Sequence, residues 1–180
     1  MLAIVGQAAH LGLDLQGDQI ERLTQPDSRV LVLFFAASDC PISNRYVPEI
    51  IRLRKKFSAS EVAFWWVFPN HGDTSGVVRE YERQFSIDGN TVLDTEQNLV
   101  RLAHVTATPE AAVFRVTKSS LQQVYHGAVD DRYLSLGKER PLASKHFLED
   151  AISASLEDRA ISPSVIRPVG CAIIPVASVR

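Results

Sequence analysis

The spacing of apolar residues changes several times along the chain, and each change marks a predicted element. Leu11, Leu13 and Leu15 alternate, Gln16-Gly17-Asp18 turns, and Ile20 and Leu23 follow, which predicts an N-terminal β-hairpin. After the loop Pro26-Asp27-Ser28, the run Val30 to Phe35 has the length and composition of a buried strand. From Pro41 to Phe57 the apolar residues Ile42, Tyr46, Val47, Ile50, Ile51, Leu53 and Phe57 recur at helical spacing. Pro41 suits a first helical turn, where its missing N–H has no intrahelical partner, whereas Pro48 inside the same pattern predicts a kink. Glu61 to Phe68 is a second strand, in which the adjacent Trp65 and Trp66 must point to opposite faces. Asp73 or Thr74 can cap a helix over Val77 to Phe85. A short strand Thr91 to Leu93 and a short helix Glu96 to Ala103 come next. Ala111 to Val116 and Leu121 to Tyr125 form a hairpin around Lys118-Ser119-Ser120, and Lys145 to Leu156 is a last amphipathic helix.

Strands and helices that alternate and then end in a hairpin and a helix predict an α/β fold. Its mixed central sheet is flanked by helices, with parallel units first and the hairpin closing the sheet. Residues 1–160 read as one domain, and 161–180, with Pro163, Pro168 and Pro175, as an extended C-terminal tail packing on it. The 180 residues are 46% hydrophobic and 22% charged with a net charge of −2, which argues against a nucleic-acid partner held by bulk electrostatics. The longest apolar runs are strand-sized, so no membrane insertion is expected. The opening Met1-Leu2-Ala3-Ile4-Val5-Gly6 carries no signal-peptide pattern. A full-length chain would on that basis be cytoplasmic, and a trimmed one periplasmic or otherwise extracytoplasmic.

Chemistry enters at Cys40, where the first apolar strand breaks and the first helix begins. A thiol at a helix N-terminus lies among free N–H groups and at the positive end of the helix dipole, which stabilises the reactive thiolate. Cys171 stands 131 positions away, a spacing that fits neither a disulfide framework nor a zinc finger. It allows one long-range bridge or two separate thiols. The five histidines, at 10, 71, 104, 126 and 146, lack metal-ligand spacing, so no metal and no cofactor is expected. No glycine-rich phosphate loop or serine nucleophile elbow is present.

Cys40-Pro41-Ile42-Ser43, Pro48 eight residues after the cysteine, and Val105-Thr106-Ala107-Thr108-Pro109-Glu110 before a strand together resemble the thioredoxin fold. More narrowly the chain resembles its redoxin branch, the alkyl hydroperoxide reductase/thiol-specific antioxidant and TlpA-like proteins. Bacterial redoxin-like proteins share the pattern of Cys40 to Tyr46, the stretch Tyr125-His126-Gly127-Ala128-Val129-Asp130-Asp131-Arg132-Tyr133, and the late Gly170-Cys171. The resemblance implies that Pro109 is a cis-proline facing Cys40. It also implies that the Thr108 backbone binds an extended peptide or partner disulfide, beside Pro41 and Ser43. Two departures stand out. Ser43 occupies the place of the second cysteine of dithiol thioredoxins, and Ala37 and Leu33 stand where peroxiredoxins carry a hydroxyl residue and a proline.

Cys171 is then the candidate resolving thiol, with a structural cysteine in an apolar Cys171-Ala172-Ile173-Ile174 strand as the alternative. Arg45 and Arg132, with Arg115 behind them, are candidate cations for the thiolate. Three activities fit: a thiol-disulfide oxidoreductase using Cys40, a peroxiredoxin-like peroxidase acting on hydroperoxides, and a non-catalytic binding module or redox sensor. Partners are accordingly a protein or small-molecule thiol or disulfide, or a hydroperoxide, and a homodimer is compatible with the sequence.

Overall fold

The computed structural model describes residues 10–59, 61–118 and 120–176. Strand β1 (Val30–Phe35) is buried at every position, as expected of a strand with apolar side chains on both faces. It lies at the centre of a mixed sheet. β2 (Val62–Phe68) runs parallel to it on one side, followed by β3 (Asn90–Leu93), also parallel. On the other side β5 (Glu110–Val116) and β6 (Leu121–Gly127) form the antiparallel hairpin, and the two-residue β9 (Val165–Ile166) pairs parallel to β6 at the edge. The order is β3-β2-β1-β5-β6-β9.

Helices cover both faces. On one face α1 (Pro41–Lys56), α2 (Ser75–Phe85) and α4 (Phe147–Leu156) bury Ile50, Leu53, Val78, Leu148 and Ile152 against Val30, Val32, Phe34 and Trp66. The Phe34 and Trp66 rings meet edge to face, 5.2 Å between centroids. The other face packs α3 (Asn98–Ala103), Leu23 and Ile173 of the tail against Leu31, Leu33, Phe35 and Phe114. Trp65 turns away from Trp66, as the alternation requires, and donates its indole N–H to Leu23 O at 2.7 Å.

Several expected boundaries move. The N-terminal hairpin is reduced to a single bridge between Leu13 and Gln19, flanked by Leu11 N–H to Ile20 O (2.9 Å) and Ile20 N–H to Gly12 O (2.9 Å), and Leu13 also pairs with Leu93 at the sheet edge. Thr74 is the cap of α2, accepting from Val77 N–H, and Asp73 is turned inward instead. α1 continues through Pro48. The helix expected from Glu96 begins at Asn98, and Asp94 accepts Val100 N–H at 2.9 Å in its first turn. Four short strands have no counterpart in the expected set of elements: β4 (Ala107–Thr108), β7 (Tyr133–Ser135), β8 (Lys138–Glu139) and β9. Within the expected apolar Cys171–Ile174 stretch, β10 (Cys171–Ala172) pairs antiparallel with β4.

Candidate functional site: a two-cysteine centre at the start of α1

Cys40 is the N-cap residue of α1, with Pro41 at its first position, and Asn44 N–H makes the first helical bond to Cys40 O at 3.1 Å. The Cys40 sulfur faces the loop opposite. That loop is the Thr108–Pro109 bond, which is cis, with Thr108 O 3.3 Å from Cys40 Sγ. Glu110 holds the loop from behind: its buried carboxylate accepts Thr106 N–H (2.8 Å) and Ala107 N–H (3.2 Å) and contacts His126 Nδ1 (3.2 Å).

The tail brings the second thiol. β10 lies along β4 with Cys171 opposite Thr108, and Cys171 Sγ is 2.6 Å from Cys40 Sγ. Three features fix this register. A side chain at Gly170 would place its Cβ 2.2 Å from Thr108 O, so a glycine is needed for the backbones to come this close. Ile173 N–H bonds Thr106 O at 3.0 Å, and the Ile173 side chain enters the second core. Gln97 then holds the chain beyond: its amide N–H donates to Ile174 O (2.8 Å) and its carbonyl accepts Val176 N–H (3.0 Å). The tail thus occupies the position at the cis-proline that the resemblance assigns to a bound peptide.

The two thiols are made unequal by their surroundings. Burial pushes Cys40 up, but hydrogen bonds from the Cys171 thiol and from the Ser43 backbone and hydroxyl outweigh it, leaving Cys40 below its ordinary value. The Thr108 carbonyl works the other way, since it accepts only from the protonated form. Cys171 is pushed up to about 12 by burial, by its hydrogen bond to Cys40, and by the negative charges of Cys40 and Asp39. Cys40 is 1% exposed, whereas Cys171 is exposed.

Other expected site residues sit as follows. Ser43 is buried, with its hydroxyl accepting Ala37 N–H at 3.4 Å. Arg45 does not face the thiols: it is an exposed side chain bonded to Glu139 at 2.7 Å, because residue 45 lies on the side of α1 that faces the β7–β8 hairpin. Arg132 lies over the Tyr46 ring (5.4 Å) and 3.7 Å from Asp130, and Arg115 donates to backbone carbonyls of Ala154 and Arg159. The Tyr125–Tyr133 stretch is architectural: Tyr46 donates to buried Asp130 (2.5 Å) and Tyr125 to Ala128 O (2.5 Å), while Asp131 holds Ser144 and Lys145 N–H.

Two residues near the centre carried no usable sequence signal. One is Gln97. The other is Asp73, buried under the Ser38–Cys40 turn, where it accepts Ser38 N–H (3.0 Å) and Oγ–H (2.5 Å) while its second oxygen has no partner. Burial holds its carboxyl above the usual range. Away from the centre, ligand atoms of Glu49, His146 and Glu149 come within 4.8 Å of one another, but both carboxylates are already paired to Arg52, and Glu149 also to Lys56.

No protein-family model and no curated protein matches the chain. Solved structures do. A hypothetical protein from Sinorhizobium meliloti superposes with a TM-score of 0.74 at 18% identity, over 95% of this chain and 93% of that one. An uncharacterized conserved protein from Geobacillus kaustophilus gives 0.71 at 20%, over 93% and 89%. A secreted disulfide oxidoreductase of Mycobacterium tuberculosis, homologous to E. coli DsbE, gives 0.52 at 15%, over 82% and 93%. With the sheet order, the cysteine at the start of α1 and the cis-proline opposite, these likenesses establish that the chain has the thioredoxin-like fold.

Proposed function

We propose that this protein is a thiol-disulfide oxidoreductase whose redox couple is Cys40 and Cys171. The observation that carries this reading is the contact of the two sulfurs, 2.6 Å apart, at the cis-proline. The couple cycles between two thiols and one disulfide, and the two electrons and two protons it gives up or takes are exchanged with a thiol or disulfide of a partner. Ser43 excludes the usual Cys-x-x-Cys couple, and Cys171 replaces it from the far end of the chain. The disulfide oxidoreductase of Mycobacterium tuberculosis among the similar structures is consistent with this chemistry. Peroxidase chemistry is less well supported, because Ala37 provides no hydroxyl where peroxiredoxins carry one and Cys40 is buried beneath the tail.

The test is intact mass and peptide mapping after one equivalent of oxidised glutathione or, separately, hydrogen peroxide. Loss of two hydrogens with a Cys40–Cys171 peptide is expected, faster with the disulfide than with the peroxide. Two persistent thiols would overturn the couple, and a faster reaction with peroxide would favour the peroxidase.

A further inference from the structure

The sequence reading makes Cys40 the sulfur that meets the partner and Cys171 the candidate that resolves. Resting on the couple proposed above, we infer that these roles are exchanged: external thiols attack Cys171, and Cys40 is the internal leaving group. Cys40 is covered by β10, by Thr108 and by the turn that precedes it. Cys171 is exposed and lines an open trough of about 890 Å³ with Ser38, His71, Asp73, Val77 and Ile174, whereas Cys40 is not part of its wall. With the sulfurs already in contact, closing the disulfide leaves this access unchanged.

The exchange balances. The sulfur of an external thiolate bonds to Cys171 Sγ as the Cys40–Cys171 bond breaks, and the electron pair of that bond leaves on Cys40 as thiolate. A second external thiolate attacks the mixed disulfide at the partner's sulfur. The partner becomes a disulfide, and Cys171 departs and takes a proton from water. The external thiols are oxidised by two electrons and the couple is reduced. Access favours this direction, because Cys171 is the sulfur open to the trough, and the Ser43 N–H and hydroxyl remain to receive the leaving Cys40 thiolate once Cys171 is bonded to the partner. The opposite direction requires the tail to lift from β4 or a poorly ionised Cys171 to act as nucleophile. The protein is thus built as a disulfide donor to thiols that fit the trough.

The experiment uses the full chain, oxidised with oxidised glutathione, desalted, mixed with 2-mercaptoethanol and quenched in acid within milliseconds. Peptide mapping should place the mercaptoethanol adduct on Cys171 with Cys40 free. Should the adduct be too short-lived, reduction rates with glutathione are compared for Val77→Trp, which narrows the trough, and Glu139→Trp, beside the separate cleft at Pro41 and Ile42. A loss of threefold or more in rate for the first, with the second unchanged, is expected. An adduct on Cys40, or slowing confined to Glu139→Trp, overturns the exchanged roles while leaving the couple intact. No disulfide on oxidation overturns both.

Discussion

At the scale of single residues, Cys40 was legible because an apolar strand, a cysteine and a proline in sequence describe a helix N-cap with no structure needed. What lowers its pKa was not legible, since the largest lowering contact comes from Cys171 at the far end of the chain. Replacing Cys171 by alanine removes that donor and leaves burial opposed by Ser43 and by the backbone N–H of residue 171. The midpoint of Cys40 thiolate absorbance should therefore rise relative to the reduced wild type, and an unchanged midpoint would assign the lowering to the helix terminus and Ser43. Asp73 and Asp94 show the same limit. Asp73 read as a possible helix cap from sequence and Asp94 carried no reading, and both are buried by contacts with residues a pattern cannot locate. Burial holds Asp94 at about 6 against an ordinary 3.8, despite N–H groups of Val100, Leu99 and Asn98 pointing at it. Between those two pH values the native chain holds a proton that the unfolded chain has released. Stability from this group is thus full below about pH 4 and declines as pH rises to about 6, by on the order of 3 kcal/mol. Asp94→Asn keeps an acceptor for Val100 N–H and removes the proton. Denaturant unfolding across this range should show wild type losing stability relative to the variant; parallel curves would refute the assignment.

At the scale of elements, the long strands and helices announced themselves by period, while β4 is two residues long and falls below any periodicity, and β10 showed only as a short apolar stretch with no partner indicated. Yet these two build the centre. What the sequence did contain was Gly170 beside Cys171, whose purpose appears only when the backbones are seen to touch. Gly170→Ala puts a methyl against Thr108 O and the carbonyl carbon behind it, 2.2 and 2.7 Å away, and neither can yield, being backbone of the loop that Glu110 holds. β10 must lift. Cys40 should then alkylate at least tenfold faster in the reduced protein, and the Cys40–Cys171 disulfide should form several-fold more slowly. Gln97→Ala removes two hydrogen bonds to the tail, each about 1 kcal/mol, and should act in the same direction more weakly. Alkylation of Cys40 as slow as in wild type in both variants would mean that something other than the tail covers it.

At the scale of the whole molecule, the α/β order was readable because β1 is apolar on both faces and the flanking helices on one, a division that only a sheet between helix layers satisfies. The division into residues 1–160 and a tail is less sharp than the change in composition suggests. β9 lies inside the tail yet completes the sheet beside β6, and Gly127 has no room for a side chain against Ile166. The tail is thus two attachments in series, one closing the sheet edge and one covering the thiols. Truncation separates them. Ending the chain after Val169 removes β10 and the buried Ile173 side chain, about 2 kcal/mol, and should lower Tm by roughly 4–8 °C with the sheet intact. Ending it after Ala160 also strips β9, leaving the edge of β6 with unpaired N–H and C=O groups that invite pairing with other chains. The second truncation should lower Tm further and aggregate on heating where the first remains monodisperse, as thermal melts followed by light scattering would show. Equal melting of the two would mean that β9 contributes nothing beyond what β10 already holds.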